Sequence, residues 1–146
     1  MRHIKNLLII LCSTFIIAGL SSCEEDSSFG NDINEDYRDK YIGNWTCTET
    51  PAKGIELTYT VKISKDTANS SRVYLKNFGF SGLNEKAAYG IVTENSITVP
   101  EQTICNDDSW IVEGIGYLIK SDKMTWEYSI NDGADLSNYT AVFIKQ

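Results

Sequence analysis

Ile55-Glu56-Leu57-Thr58-Tyr59-Thr60-Val61-Lys62-Ile63-Ser64-Lys65 is the stretch whose pattern decides the fold class. Leu57, Tyr59, Val61 and Ile63 alternate with Thr58, Thr60, Lys62 and Ser64. A period of two sends the two sets to opposite faces of a half-buried antiparallel strand. Met124, Trp126, Tyr128 and Ile130 alternate in the same way with Thr125, Glu127 and Ser129. Further strands are predicted over Tyr41–Thr50, Arg72–Phe80, Ala87–Thr93, Ser96–Val99, Trp110–Lys120 and Asn138–Lys145, separated by turn-rich segments such as Asp66–Ser71, Glu94-Asn95 and Asn131-Asp132-Gly133. No stretch after Tyr41 has a helical period. The expectation is all-β: a single antiparallel up-and-down meander of about eight strands, which avoids bare edges by closing into a barrel. Pro100 is expected to end a strand, and Gly114 and Gly116 to mark a bend or a close approach by a large side chain.

The chain begins differently. Arg2 and Lys5 precede an apolar run from Leu7 to Leu20 and small residues before Cys23, the three-part pattern of an export signal. At roughly 1.5 Å per residue the run reaches about 21 Å, short of a hydrocarbon core of about 30 Å, so it is not a stable membrane span. Residues 24–39 are acidic and poor in large apolar side chains, and are expected to serve as a tether because they cannot bury enough surface to offset ordering. Three segments result: a signal over 1–22, Cys23 with its tether over 23–39, and the β domain over 40–146. Within 33–41 a single helical turn is expected, with Asn34 as its cap.

Removing the signal leaves 11 basic against 20 acidic residues, a formal charge of −9 where the whole chain has −7. That balance excludes nucleic acid as an electrostatic partner. The single histidine, His3, leaves with the signal. Hydrolases built on an imidazole base, histidine zinc sites and histidine pH switches are thereby excluded from the mature chain, and no catalytic residue, metal ligand or cofactor is expected. Of four cysteines, Cys12 is also removed and Cys23 stands at the cut, leaving Cys47 and Cys105. An even pair in an exported domain reads as a disulfide, with two separate buried thiols as the alternative.

Leu20-Ser21-Ser22-Cys23 resembles the bacterial lipobox, which implies that Cys23 is lipidated and anchors the protein to a membrane. Glu24-Glu25-Asp26 resembles the acidic export signal of Bacteroidota surface lipoproteins, implying the outer face of the outer membrane; the alternative is an ordinary linker on the periplasmic face. Asp39-Lys40-Tyr41-Ile42-Gly43-Asn44-Trp45 resembles the opening of lipocalin and calycin barrels, where a short turn leads into a Gly-x-Trp and the tryptophan plugs the closed end. The whole domain is similar to compact lipocalin-like lipoproteins of Bacteroidota, through Asn77-Phe78-Gly79 and Ile97–Gln102. Asp66-Thr67-Ala68 resembles a Bacteroidota O-glycosylation sequon, which makes Thr67 a candidate modification site, the alternative being a plain turn.

Trp45, Tyr59, Trp110, Trp126 and Tyr128 are the candidate ligand contacts. An eight-strand barrel is only just wide enough for its own side chains or one small ligand, so these residues line a cavity or fill the interior. Trp110 beside Asp107 and Asp108 has the flat face and polar neighbours that suit a sugar, or else folds back on the core. Asn131–Asp135 is oxygen-rich but reads as a hairpin turn, because it lacks the remaining ligands of a calcium loop. Glu113 and Glu127, on neighbouring predicted strands, could meet the carboxylate spacing of a glycosidase, the alternative being two solvated acids on the polar faces. The functional expectation is a lipid-anchored envelope module binding a small hydrophobic, aromatic or saccharide ligand or a protein partner. Its alternatives are a filled structural barrel and, last, a carboxylate hydrolase.

Overall fold

Period-two alternation becomes a ring of strands in the computed structural model, which describes residues 35–146. The strands are β1 (Gly43–Pro51), β2 (Leu57–Lys65), β3 (Arg72–Lys76), β4 (Ala88–Val92), β5 (Ser96–Ile104), β6 (Trp110–Lys120), β7 (Lys123–Asn131) and β8 (Leu136–Lys145). Each pairs antiparallel with the next, and β1 pairs with β8 from Trp45↔Lys145 to Pro51↔Tyr139, closing the barrel. The expected all-β meander and its closure are therefore as observed. The signal, Cys23 and most of the tether lie outside the described residues.

One end is sealed as the Gly-x-Trp opening suggested. Gly43 sits at φ +133°, a conformation that favours glycine, and turns the entering chain under the barrel. Trp45 is fully buried, and its Nε1 donates to the Tyr41 carbonyl at 2.8 Å. Lys145, the last residue of β8, lies with its ammonium 5.4 Å from the Trp45 ring centroid and donates to the Lys40 carbonyl. A 3-10 turn, Tyr37–Lys40, precedes β1 and is capped by the Asp36 side chain, which accepts from the Arg38 amide. The expected turn is present with Asp36 as its cap; Asn34, the cap the sequence suggested, lies outside the described residues. The docked part of the chain also starts earlier than residue 40: Arg38 donates to the Asp66 and Asn69 carbonyls, and Lys65 pairs with Asp36 and Asp39.

The interior is filled. Trp45, Trp126, Tyr41, Phe78 and Phe143 are the largest of its fully buried side chains. Trp126 packs between Phe78 at 5.2 Å and Phe143 at 5.3 Å. Its indole lies flat over Gly116, its partner in the β6–β7 register: a Cβ added there would fall 2.3 Å from Cε2. At Gly114 the added atom would meet Tyr128 Cβ at 2.3 Å. These two glycines are the expected close approaches. Trp126 Nε1 is buried without a hydrogen-bond partner among the described residues, an omission that costs about 1–3 kcal/mol.

Two predicted strand ends change most. β3 stops at Lys76, and the next residues form a short 3-10 turn, Phe78–Phe80, that folds over the second end of the barrel. β5 does not stop at Pro100: a bulge between Val99 and Gln102 absorbs the missing amide, and the strand runs to Ile104. β4 pairs with β5 only at Ile91↔Thr98 and Val92↔Ile97. Beyond these pairs the Gln102 side chain replaces the ladder, accepting from the Tyr89 amide and donating to its carbonyl, both at 2.8 Å. Leu57, expected inside, is 37% exposed because as the first residue of β2 it stands at the rim.

The disulfide is not formed. Cys47 and Cys105 are free, buried thiols. Cys47 lies on β1 and Cys105 in the turn after β5, four strands away around the ring. Eight strands about 4.8 Å apart, tilted about 40°, close into a ring roughly 16 Å across, whereas a disulfide needs Cα atoms within about 7 Å.

Candidate functional site

The same alternation that buries Trp45 and Cys47 on β1 turns Glu49 inward. It reaches the barrel at its second end, the mouth, and is 6% exposed. Tyr59 of β2 donates to Glu49 Oε2 at 2.6 Å, and Tyr128 of β7 donates to the same oxygen. The two phenol oxygens are 3.3 Å apart. Burying a carboxyl group costs several kcal/mol unless it is paired or hydrogen-bonded. Here no cation pairs with it among the described residues, and the two phenols satisfy one oxygen only. Oε1 accepts no hydrogen bond among the described residues and remains available to a donor.

Burial raises the acidities' thresholds around it. The Cys47 thiol, beside Tyr59 and Glu49, is pushed up to about 12, burial being the main cause. Burial and then the neighbouring Tyr128 hold the Tyr59 phenol far above its ordinary value; burial and then Glu49 do the same for Tyr128. Both phenols therefore stay protonated donors across the physiological range.

Aromatic rings surround the cluster. Tyr139 stacks on Tyr128 with centroids 5.3 Å apart and planes 16° apart. Phe78 lies against Tyr128 from below at 4.7 Å, and Phe80 covers Tyr59 at 5.2 Å. Phe80 is 54% exposed and has φ +59°, a conformation that costs a bulky residue about 1–3 kcal/mol. Its loop is held by Asn77, whose side chain donates to the Thr60 carbonyl and accepts from the Gly82 amide. Gly79 must be glycine: its φ is +63° and an added Cβ would lie 2.5 Å from Ile130 Cδ1. Ile55, Leu57, Leu83 and Leu136 are exposed on the neighbouring loops and strand starts at this end.

Of the five expected ligand contacts, Tyr59 and Tyr128 meet at this cluster and Trp126 lies beneath it, reached through Phe78. Trp45 plugs the opposite end. Trp110 packs half-buried against the core and lines a separate recess with Cys105, Asp107 and Ser109. Thr67 is exposed in the turn after β2, next to Asp66, whose carboxylate accepts from the Ala68 amide. Asp132 Oδ1 is committed to the Ala134 and Asp135 amides, as a turn residue. Glu113 and Glu127 lie exposed on the outer face, along an open groove of about 870 Å³. Glu49 is the residue that pattern reading passed over, although its position two after Cys47 and four after Trp45 already placed an acid on the inner face.

No family model matches the chain, and no curated protein does. Solved structures match its fold. A redesigned β-barrel superimposes with a TM-score of 0.56 at 14% identity, covering 76% of this chain and 96% of that one. The protein EF1p2_mFAP2b bound to DFHBI does so at 0.53 and 12% identity, covering 77% and 100%. A de novo fluorescence-activating β-barrel gives 0.52 at 14% identity, covering 77% and 99%.

Proposed function

We propose that the mature chain is a non-enzymatic binding module of the bacterial cell envelope, held to the outer membrane by lipid on Cys23 and displayed on the cell surface. The anchor rests on Leu20-Ser21-Ser22-Cys23, and the surface address on Glu24-Glu25-Asp26. The likeness to lipocalin-like lipoproteins rests on Gly43-Asn44-Trp45 and the barrel that follows.

The observation that carries the binding role is the Glu49–Tyr59–Tyr128 cluster at the mouth, with one carboxylate oxygen unengaged and a strained, exposed Phe80 lying against Tyr59. Because the interior is occupied by its own side chains, the ligand sits at the mouth, with Phe80 swinging aside to admit it. An amine or hydroxyl on the ligand would donate to Glu49, and an apolar body would meet Phe80, Leu57 and Tyr139. That a structure similar in fold, EF1p2_mFAP2b, holds DFHBI is compatible with a small molecule on such an architecture.

The filled interior favours a second reading, an accessory barrel that contacts a protein partner through the apolar rim and takes no small ligand. A thermal-shift screen of the mature chain against aliphatic amines, aromatic amines, neutral lipids and oligosaccharides separates the two. Binding of a member raises the midpoint by mass action; a flat response throughout favours the partner surface.

A further inference from the structure

On the outside of the wall, running toward the mouth end, the outer face of β2, β3 and β4 carries a charge opposite to that of the chain. Val73 and Leu75 point inward, so Arg72, Tyr74 and Lys76 point out. Lys62 lies directly opposite Lys76 in the β2–β3 register, and Tyr74 opposite Tyr89 in the β3–β4 register. A groove of about 500 Å³ runs here, lined by Arg72, Tyr74, Lys76, Lys86, Tyr89 and Thr103 among others, with no carboxylate in its lining. Gln102, which bridges to the Tyr89 backbone where the β4–β5 ladder ends, is part of its lining.

Three cations on one groove of a chain with 20 acids against 13 bases is a marked segregation. The local geometry makes it costlier. Like charges directly opposite on neighbouring strands destabilise a sheet, yet Lys62 and Lys76 face each other and neither forms an ion pair among the described residues. Arg72 lays its guanidinium 4.0 Å from the Tyr89 ring centroid, and its Nε, buried without a hydrogen bond among the described residues, forms an ion pair with Asp66 at 3.6 Å. Lys86 is steadied by Thr103 Oγ1 and Asp108 at the groove's edge. Lys76, without an ion pair among the described residues, and the Arg72 guanidinium lie beside Tyr74 and Tyr89, while Arg72 and Lys86 also face Asp66 and Asp108; this setting matches a ligand that combines anionic groups with flat or ring surfaces. Carbohydrate rings stack on such faces while carboxylate or sulfate groups meet Lys and Arg.

We infer that this groove binds an acidic saccharide, one bearing carboxylate or sulfate groups. The site is separate from the mouth and opposite in charge, so it stands whether or not Glu49 holds a ligand.

The test is calorimetric titration of the mature Cys23→Ala chain at low salt with four probes: tetragalacturonate, a sulfated chondroitin disaccharide, maltotetraose and inorganic phosphate. Saturable binding of tetragalacturonate or of the sulfated disaccharide supports the inference and tells the carboxylate source from the sulfate one. Lys76→Glu, on an exposed position, should weaken that binding at least tenfold, and 0.5 M NaCl should weaken it similarly. Amide chemical shifts of the unaltered chain should move on β3 and β4, a readout independent of any variant. No saturation by either acidic probe, equal binding of maltotetraose, or shifts confined to the mouth would overturn the inference. Phosphate binding as tightly as the acidic saccharides would overturn the saccharide assignment.

Discussion

Gly116→Ala tests the packing that fills the barrel. The added Cβ would stand 2.3–2.5 Å from three indole atoms of Trp126, where ordinary contact needs about 3.5 Å, so the ring must retreat by roughly 1 Å. It has nowhere to go, because Trp126 is 1% exposed and fenced by Phe78 and Phe143. Overpacking of this kind costs about 1–3 kcal/mol, offset by about 0.4–1 kcal/mol of lost freedom in the unfolded chain. A net loss of about 1–2 kcal/mol lowers the melting midpoint by roughly 4–8 °C in a domain of this size. Thermal melts followed by far-UV circular dichroism measure it. Combining Gly116→Ala with Trp126→Leu should recover at least about 1 kcal/mol of the glycine's cost in a double-mutant cycle. A midpoint that holds or rises in Gly116→Ala would refute the packing.

Other consequences are measured as simply. In the Cys23→Ala chain, Ellman's reagent should titrate two thiols after denaturation without reductant and react only slowly in the native state at pH 8, since burial raises both thiols and takes Cys47 to about 12; a Cys47–Cys105 peptide under non-reducing mass mapping would contradict this. Tyr41, raised to about 12 by burial, and Tyr59 and Tyr128, raised further, all favour the protonated form in the folded state. Their contribution is therefore complete below the unfolded value of about 10 and is lost as pH rises through the folded values. Chemical denaturation midpoints should begin to fall at about pH 9, where the Cys47 and Cys105 thiols, raised by burial in the folded state, ionise on unfolding, and should fall more steeply above about pH 10; no such steepening would argue against the three tyrosines. Cys23→Ala should release the protein from membranes, and protease shaving of intact cells should remove the domain; sedimentation with membranes, or complete protection, would contradict the anchor or the surface address respectively.

Most of the strand pattern was legible because period-two alternation is local. Val61 and Ile63 turn inward wherever the ring closes, and Gly116 opposite Trp126 follows from pairing β6 with β7. The parts that were not legible depend on geometry across the ring. Cysteine parity suggested a bond, but the distance between β1 and β5 is set by strand number and tilt. Pro100 looked like a stop because a bulge and a side chain borrowed from Gln102 cannot be read from a missing amide. Glu49 was overlooked among the threonines of Thr46-Cys47-Thr48-Glu49-Thr50, since its partners lie 10 and 79 positions away. The Phe78–Phe80 turn extends an apolar run that reads as strand, and only the left-handed Asn77, Gly79 and Phe80 fold it over the mouth.

The measurement that bears most directly on the mouth as a binding site is the calorimetric affinity of the best amine-bearing compound from the thermal-shift screen for the wild-type chain and for Glu49→Gln. The variant keeps the shape and an acceptor for the two phenols but removes the charge. A hydrogen bond to a charged group is worth about 1.5–3 kcal/mol, so the affinity should fall by roughly 10–150-fold. Equal affinity for the two proteins would contradict a site centred on Glu49.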